Sequence, residues 1–389
     1  MTNPKPLAGM RVLDLSRVLA GPYVGRMLAD LGSEVVKVEP PDGDLTRQWG
    51  RSVAGLSGYY TQQNAGKHGL CVDLQADGGP ELIRELAAVT DILVENFRPG
   101  VMQRFGLDYQ QLQELNPRLV MLSISGFGQT GPHATRPAYA SVVHAESGVL
   151  HRQAVGEDRE PRDLWLSAAD MNAGLHGLVG LLAAVVMRQQ TGRGQHVDIS
   201  MLDAMLATDD YINLATDRVR MPHGTPNGVW QIRGGGAVVI AGDFRWVWRR
   251  LQATHGLADP TPPGAELATK IECRQRAVRD YLMSLPDQNA VHRALDEAGL
   301  PWGDVLTSAQ ALASPGAVHR GVVAQVDDRA GGKRSVVQSP YRFSHADSGV
   351  EPSGAPRRGE HNADVLTRWL GKDAGELEAL RERGVLLAE

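Results

Sequence analysis

The sequence predicts an α/β fold, a large parallel-sheet domain followed by a smaller α+β domain. Three observations predict it. Strand-like and helix-like patterns alternate through the first half of the chain. The strand-like runs are continuously apolar, as in a sheet covered on both faces. Past residue 220 the texture changes to Pro, Gly and short strand-like pieces. The alternation implies βαβ units and a Rossmann-like architecture.

Taken in order, Arg11–Ser16 reads as a strand, and Ala20–Gly32 as a helix with Pro22 in its first turn and Gly32 at its end. Glu34–Glu39 is the second strand and Leu70–Leu74 the third. Gly79–Val89 is a helix, Asp91–Phe97 a strand, Pro99–Phe105 a helix, and Leu119–Ser125 a strand. Met171–Gln190 is a long, charge-poor helix that Thr191-Gly-Arg-Gly194 stops. Gly174, Gly177 and Gly180 lie three apart on it, close to one stripe where another backbone can approach. Gln195–Met201 is a strand and Leu202–Thr216 a helix. Trp230–Ile240 reads as a hairpin turning at Gly234–Gly236, with Cys273–Leu285 and Asn289–Ala298 as helices. Trp230, Trp246 and Trp248 read as packing residues of this smaller domain. The expected division is 1–205 for the large domain, 206–224 for a linker and 225–330 for the small domain. Residues 331–389 then form a return linker and two helices that rejoin the large domain.

Bulk properties exclude several functions. With 389 residues, 42 % hydrophobic, 22 % charged and a net charge of −5, the chain is an ordinary globular one with no bulk attraction to nucleic acid or anionic membranes. The apolar helix is bracketed by Asp170 and Arg188 with Asn172 and His176 inside, so it reads as a core helix rather than a membrane span. Cys71 and Cys273 lie far apart with no metal-ligand pattern, and the first residues lack a signal-peptide h-region. A cytoplasmic location, no metal and no permanently bound cofactor are the expectations. No Gly-x-Gly-x-x-Gly follows any strand, so the dinucleotide fingerprint is missing; Gly-x-Ser-x-Gly and His-Glu-x-x-His are missing too.

One charge stands at the head of the buried helix. Asp170 reads either as an N-cap or as a carboxylate nucleophile that the helix N-terminus keeps ionised, and the two readings are compatible.

Beyond these patterns, the chain resembles the family III CoA-transferases, the family of formyl-CoA transferase and carnitine CoA-transferase. The residues that carry the resemblance run through nearly the whole length. They are Leu13–Ser16 with Ala20-Gly-Pro22, Leu28–Glu39, Gly43-Asp44, Asn64 with Lys67, Val94–Gly100 and Arg104 with Gly106. Leu115–Arg118, Ser125–Pro132, Tyr139, the Asp170 stretch, Thr191–Asp198 and Gly359–His361 follow. The resemblance implies a catalytic aspartate at Asp170, which attacks an acyl-CoA thioester and passes through an aspartyl–acyl anhydride and an aspartyl–CoA thioester. It implies coenzyme A contacts at Arg17, Val18, Ala20, Lys67, Asn96, Phe97, Arg98, Arg104 and Tyr139. It also implies an interlocked homodimer. Chemistry agrees in part: the phosphates of CoA need Arg, Lys or helix N-termini, and Asn96–Gly100 sits where a strand gives way to a helix. For Arg98 and Arg104 a solvated helix face is the alternative.

The first turn departs from formyl-CoA transferase, reading Arg17-Val18-Leu19 where that enzyme has a His and a Gln, and no long glycine loop is evident. Formate is therefore not the expected acid. Arg17, Arg136, His144, Arg220 and His223 are candidate anchors for a second carboxylate, with His144 alternatively a satisfied core histidine. Succinyl-CoA with a dicarboxylate is the expected pair. The alternatives are an α-methylacyl-CoA racemase, which needs a His/acid pair where this chain has Pro137–Ala140, and a non-catalytic acyl-CoA-binding protein.

Overall fold

The computed structural model describes residues 3–219 and 228–388. The chain divides into two compact units: Met1–Arg152 with Glu160–Arg220 and Val318–Glu389, and Gln153–Arg159 with Met221–Ala317.

The first unit is built on a sheet of six parallel strands. Its elements begin with β1 (Arg11–Asp14), α1 (Ala20–Asp30) and β2 (Glu34–Glu39). A short hairpin, β3 (Ser52–Val53) and β4 (Leu56–Ser57), leads into α2 (Gly58–Asn64). β5 (His68–Cys71), α3 (Gly79–Ala88), β6 (Ile92–Glu95), α4 (Val101–Arg104), α5 (Tyr109–Leu115) and β7 (Val120–Ser125) follow. α6 (Ala140–Glu146), α7 (Val149–Glu157), α8 (Ala168–Thr191) and β8 (His196–Ser200) complete the sheet. The strand order is β5-β2-β1-β6-β7-β8. The chain thus winds outward from β1 in one direction, returns, and winds outward from β6 in the other.

Alternation along the strands builds two cores. Val12, Val35, Ile92 and Val94 face one side, where α1 and α8 cover them. Leu13, Val36, Val38 and Leu93 face the other, against α3 and the helices Asn362–Leu370 and Ala374–Glu382. The glycine stripe of α8 admits another backbone only at Gly174; at Gly177 and Gly180 it admits side chains. A Cβ at Gly174 would meet Ala20 O and Tyr23 Cδ1 at 3.0 Å, one at Gly177 would meet Leu122, and one at Gly180 would meet Val197 at 3.0 Å. Each glycine lets a different neighbour come close: α1, β7 and β8. α8 is the one helix among the described residues long and apolar enough to cross a membrane, yet Ala173, Leu178, Leu181 and Val185 pack on the sheet.

Two expectations shift. The helix read over Leu202–Thr216 is two helices, Met201–Thr208 and Ile212–Thr216. Asp209 breaks it by taking an extended conformation, accepting the Tyr211 N–H at 3.0 Å and pairing with Arg152. The second compact unit ends at Ala317, earlier than the expected boundary at 330. The strands Val323–Asp327 and Lys333–Val337 pair with each other, and Val326 and Val336 bury Ala65 of the first unit.

The second unit holds a three-stranded antiparallel sheet, Gly228–Gln231, Ala237–Ile240 and Trp302–Asp304. Trp230, Val238, Trp248, Leu251, Val278, Leu282 and Leu295 form its core. Gly234 and Gly235 turn its hairpin at φ +92° and +87°, values that side-chain-bearing residues rarely adopt.

Candidate active site

The order of the sheet creates a crevice at one place. β1 and β6 are neighbours, but the chain leaves them for opposite halves of the sheet, so the loops beyond their C-terminal ends diverge. Asn96 ties those loops together. Its Oδ1 accepts the Arg17 N–H at 2.7 Å and its Nδ2 donates to the Arg17 carbonyl at 2.8 Å. Val18 follows at φ +68°, an outlier for a β-branched residue. Its N–H donates to Asp44 Oδ2 at 3.1 Å, and Thr46 donates to the same carboxylate through its N–H and hydroxyl. Burial pushes Asp44 up, but Lys37 and these hydrogen bonds outweigh it and hold the carboxyl down at about 2. A permanently charged anchor therefore fixes the strained turn.

Asp170 stands beside this turn. It is the third residue of α8 rather than its cap, because Ser167 occupies the cap position and makes no side-chain capping bond. His144 does that work, accepting the Ala169 N–H on Nε2 at 3.2 Å. Its Nδ1 lies 2.8 Å from Asp163 Oδ1 and so carries the ring proton. His144 is a satisfied, buried histidine. The backbone N–H groups of Ala20, the first residue of α1, and of Asp170 itself lie beside the Asp170 carboxylate and favour its charged form. Gly174 allows α1 to come that close. Burial pushes the Asp170 carboxyl up to about 6, against the pull of these two N–H groups. Desolvation is the larger effect, and the N–H groups only moderate it.

Tyr59 on α2 lies within electrostatic reach. Burial, then the charges of Asp170 and Asp44, raise its phenol to about 12. The ring of Trp49 packs edge-on against it at 5.1 Å. Neither aromatic residue carries a sequence signal, since α2 and the turns before it lack periodicity.

The other anticipated contacts fall into two groups. Arg17 is half-buried, and Arg98 and Arg104 are exposed on the segment leaving β6. Among the described residues their side chains make no hydrogen bond or ion pair, which leaves the guanidinium groups available to an anion. Phe97 is half-buried over the core and donates its N–H to Glu95. Burial pushes the Glu95 carboxyl up to about 7. Tyr139 stands at the cap position of α6 and is 69 % exposed. Lys67 is different. Its ammonium is buried and donates to Asp14 at 2.8 Å, the Pro22 carbonyl at 2.8 Å and Asn64 at 2.9 Å. All three protons are taken, so the side chain holds β1, α1 and α2 together and has none left for a phosphate.

Of the anchors considered for a second carboxylate, Arg136 pairs with Glu146 at 2.5 Å and His144 is committed as described. Arg220 and His223 lie outside the described residues. Arg17 remains available. Among the described residues no cluster of His, Cys, Asp and Glu is arranged to hold a metal ion.

Comparison with known proteins follows the same outline. The sequence model of CoA-transferase family III matches residues 7–362. Succinyl-CoA–D-citramalate CoA-transferase of Chloroflexus aurantiacus is 31 % identical, the alignment covering 98 % of each chain. Succinate–glutarate CoA-transferase of Agrobacterium fabrum is 34 % identical over 94 % of this chain and 96 % of its own. The crystal structure of a CaiB/BaiF family protein from Brucella suis superposes with a TM-score of 0.81 at 30 % identity, covering 95 % of this chain and all of that one.

Proposed function

We propose a mechanism and a substrate class from one premise: the chain belongs to CoA-transferase family III and is an enzyme that moves CoA between carboxylic acids. The observation that carries the mechanism is the Asp170 carboxylate, largely withdrawn from water and beside the Ala20 N–H at the edge of the β1–β6 crevice.

The Asp170 carboxylate attacks the thioester carbonyl of the donor, forming an aspartyl–acyl anhydride and expelling CoA thiolate. The thiolate attacks the aspartyl carbonyl, giving an aspartyl–CoA thioester and releasing the donor acid as its carboxylate. The acceptor carboxylate attacks that thioester and forms a second anhydride with a second release of thiolate. Attack of the thiolate on the acceptor's carbonyl then yields the new acyl-CoA and restores Asp170. Every step exchanges one anion for another, so no proton donor is needed. Desolvation favours the sequence because a poorly hydrated carboxylate is a better nucleophile.

Coenzyme A takes the crevice in this reading. Arg17, Arg98 and Arg104 meet its phosphates, Phe97 and Tyr139 offer rings to its adenine end, and Asn96 with Val18 and Ala20 shapes the turn beneath. Succinyl-CoA is the proposed donor and a dicarboxylate the proposed acceptor. The supporting facts are the names of relatives, which pair succinyl-CoA or succinate with citramalate and with glutarate. A homodimer is proposed as well, interlocked as in the family it resembles. It is supported by the outer face of α8, where Leu175, Val179, Val186 and Met187 are exposed, and by Trp165, which is fully exposed.

The test mixes the protein with a panel of acyl-CoAs, quenches with hydroxylamine and reads intact and peptide mass. A hydroxamate on Asp170, absent from Asp170→Ala, is the expected result. No adduct with any donor, together with solvent deuterium entering the α-carbon of a branched acyl-CoA, would replace acyl transfer by racemisation.

A further inference from the structure

A second concavity opens on the α2 side, lined by Tyr59, whose phenol feels the Asp170 charge. It encloses about 640 Å³ and belongs wholly to the first unit. Trp49 and Tyr59 form one wall. The opposite wall comes from far along the chain, from the hairpin of Val323–Asp327 and Lys333–Val337.

The charge on its lining is unbalanced. Arg51, Lys333 and Arg334 face a single carboxylate, Asp328. That carboxylate is already engaged, accepting the N–H groups of Ala330 and Gly332 at 2.8 Å. Arg334 is engaged as well. Its guanidinium donates to the carbonyls of Leu56 and Arg51 at 2.8 and 3.4 Å and to Thr61 Oγ1 at 3.1 Å, which fixes one wall to the other. Arg51 and Lys333 are exposed, and among the described residues their side chains make no hydrogen bond or ion pair. A rigid aromatic wall with two uncommitted cations beside it is suited to a short carbon chain that ends in an anion.

We propose that Arg51 and Lys333 form a specificity subsite that takes the distal carboxylate of a dicarboxylic acyl group while its thioester end lies at Asp170. The inference rests on the acyl-transfer reading of Asp170. It replaces Arg136 and His144 as second-carboxylate anchors with residues whose charges are free. A monocarboxylic acyl group leaves the two cations unpaired.

Succinyl-CoA and butyryl-CoA, which differ by a carboxylate in place of a methyl group, are the probes. Binding is measured by calorimetry on an Asp170→Asn background, where no turnover occurs, and kcat/KM is measured on the Asp170 enzyme. The expected preference for succinyl-CoA is about tenfold in binding. Arg51→Gln with Lys333→Gln removes it by weakening succinyl-CoA alone, Lys333→Glu inverts it, and Lys333→Arg retains it. Survival of the preference in the double variant overturns the proposal. Parallel weakening of both thioesters overturns it too, because the cations would then be serving the phosphates of CoA. The chemistry is read separately as the Asp170 hydroxamate. If that adduct is missing while the binding preference is present and lost in the double variant, the subsite stands and the acyl-transfer reading falls.

Discussion

Asp170→Asn separates what the carboxylate does for catalysis from what it does to stability. The carboxyl stands at about 6 in the folded chain, against a reference value of 3.8. In the range between these values the unfolded state gives up its proton first, so rising pH weakens the fold until about pH 6 and not beyond. The gap of about 2 units corresponds to about 3 kcal/mol of lost stability at neutral pH. About 2 kcal/mol of this accrues between pH 4.5 and 7.5. Asparagine has the same shape, its Oδ1 still faces the Ala20 N–H, and it cannot ionise. At about 2 cal/mol/K of unfolding entropy per residue, a chain of 389 residues converts 3 kcal/mol into about 4 °C. The variant is therefore expected to melt above the wild type at pH 7.5 by a few degrees, and by much less at pH 4.5, while kcat falls by about a thousandfold or more. Differential scanning fluorimetry at matched protein concentration, run across this pH range beside a CoA-transfer assay, measures both. A difference in melting temperature that is flat with pH, or an asparagine variant less stable at pH 7.5, would refute the reasoning.

Three further outcomes are expected. The pH–rate profile of kcat/KM should lose about tenfold per unit below about pH 6, because only ionised Asp170 attacks; a limb placed near pH 4 would contradict the burial argument. Lys67→Met should lower stability by about 3–5 kcal/mol by leaving Asp14 buried without its partner, seen as a fall in melting temperature. A stable variant with only a raised KM would instead make Lys67 a CoA contact. Arg98→Ala and Arg104→Ala should each raise KM for acyl-CoA about fivefold with kcat within about twofold, the effect shrinking at high salt. Unchanged KM in both would move the phosphate site elsewhere.

Much of the sheet was legible because its information is local. Val12, Val35, Val36, Ile92, Leu93 and Leu122 sit in short apolar runs between helical periods, and burial on both faces requires such runs. The glycine stripe was legible for the same reason, as was Asp170, the lone acid opening a charge-poor helix. Its rank within the helix was not, since the residue that caps α8 is His144, 25 positions upstream and in another helix. The fate of Lys67 was hidden likewise: a lysine after a helix looks exposed until Asp14, Pro22 and Asn64 close around it. Arg51 and Lys333 line one concavity because the hairpin that carries Lys333 is joined to α2 through Gln62 and Val337, 275 positions apart.

The position of Asp170 follows from a conflict that the fold settles with backbone rather than charge. A nucleophilic carboxylate must be ionised near neutral pH, yet shielding it from water drives its proton affinity up. A lysine or arginine at this place would restore ionisation but would also hold the carboxylate in an ion pair and blunt its attack. The N–H groups at the starts of α1 and α8 lack partners within their own helices, so they stabilise the anion without adding a full charge. Bringing both helix starts to one carboxylate requires α1 and α8 to approach closely. Gly174 permits this, because a Cβ there would meet Ala20 O at 3.0 Å. The result is a carboxyl near 6, ionised at pH 7 and still underhydrated. The glycine and the aspartate, four residues apart on one face of α8, therefore act as one unit: the first sets the distance to Ala20, and that distance sets the reactivity of the second.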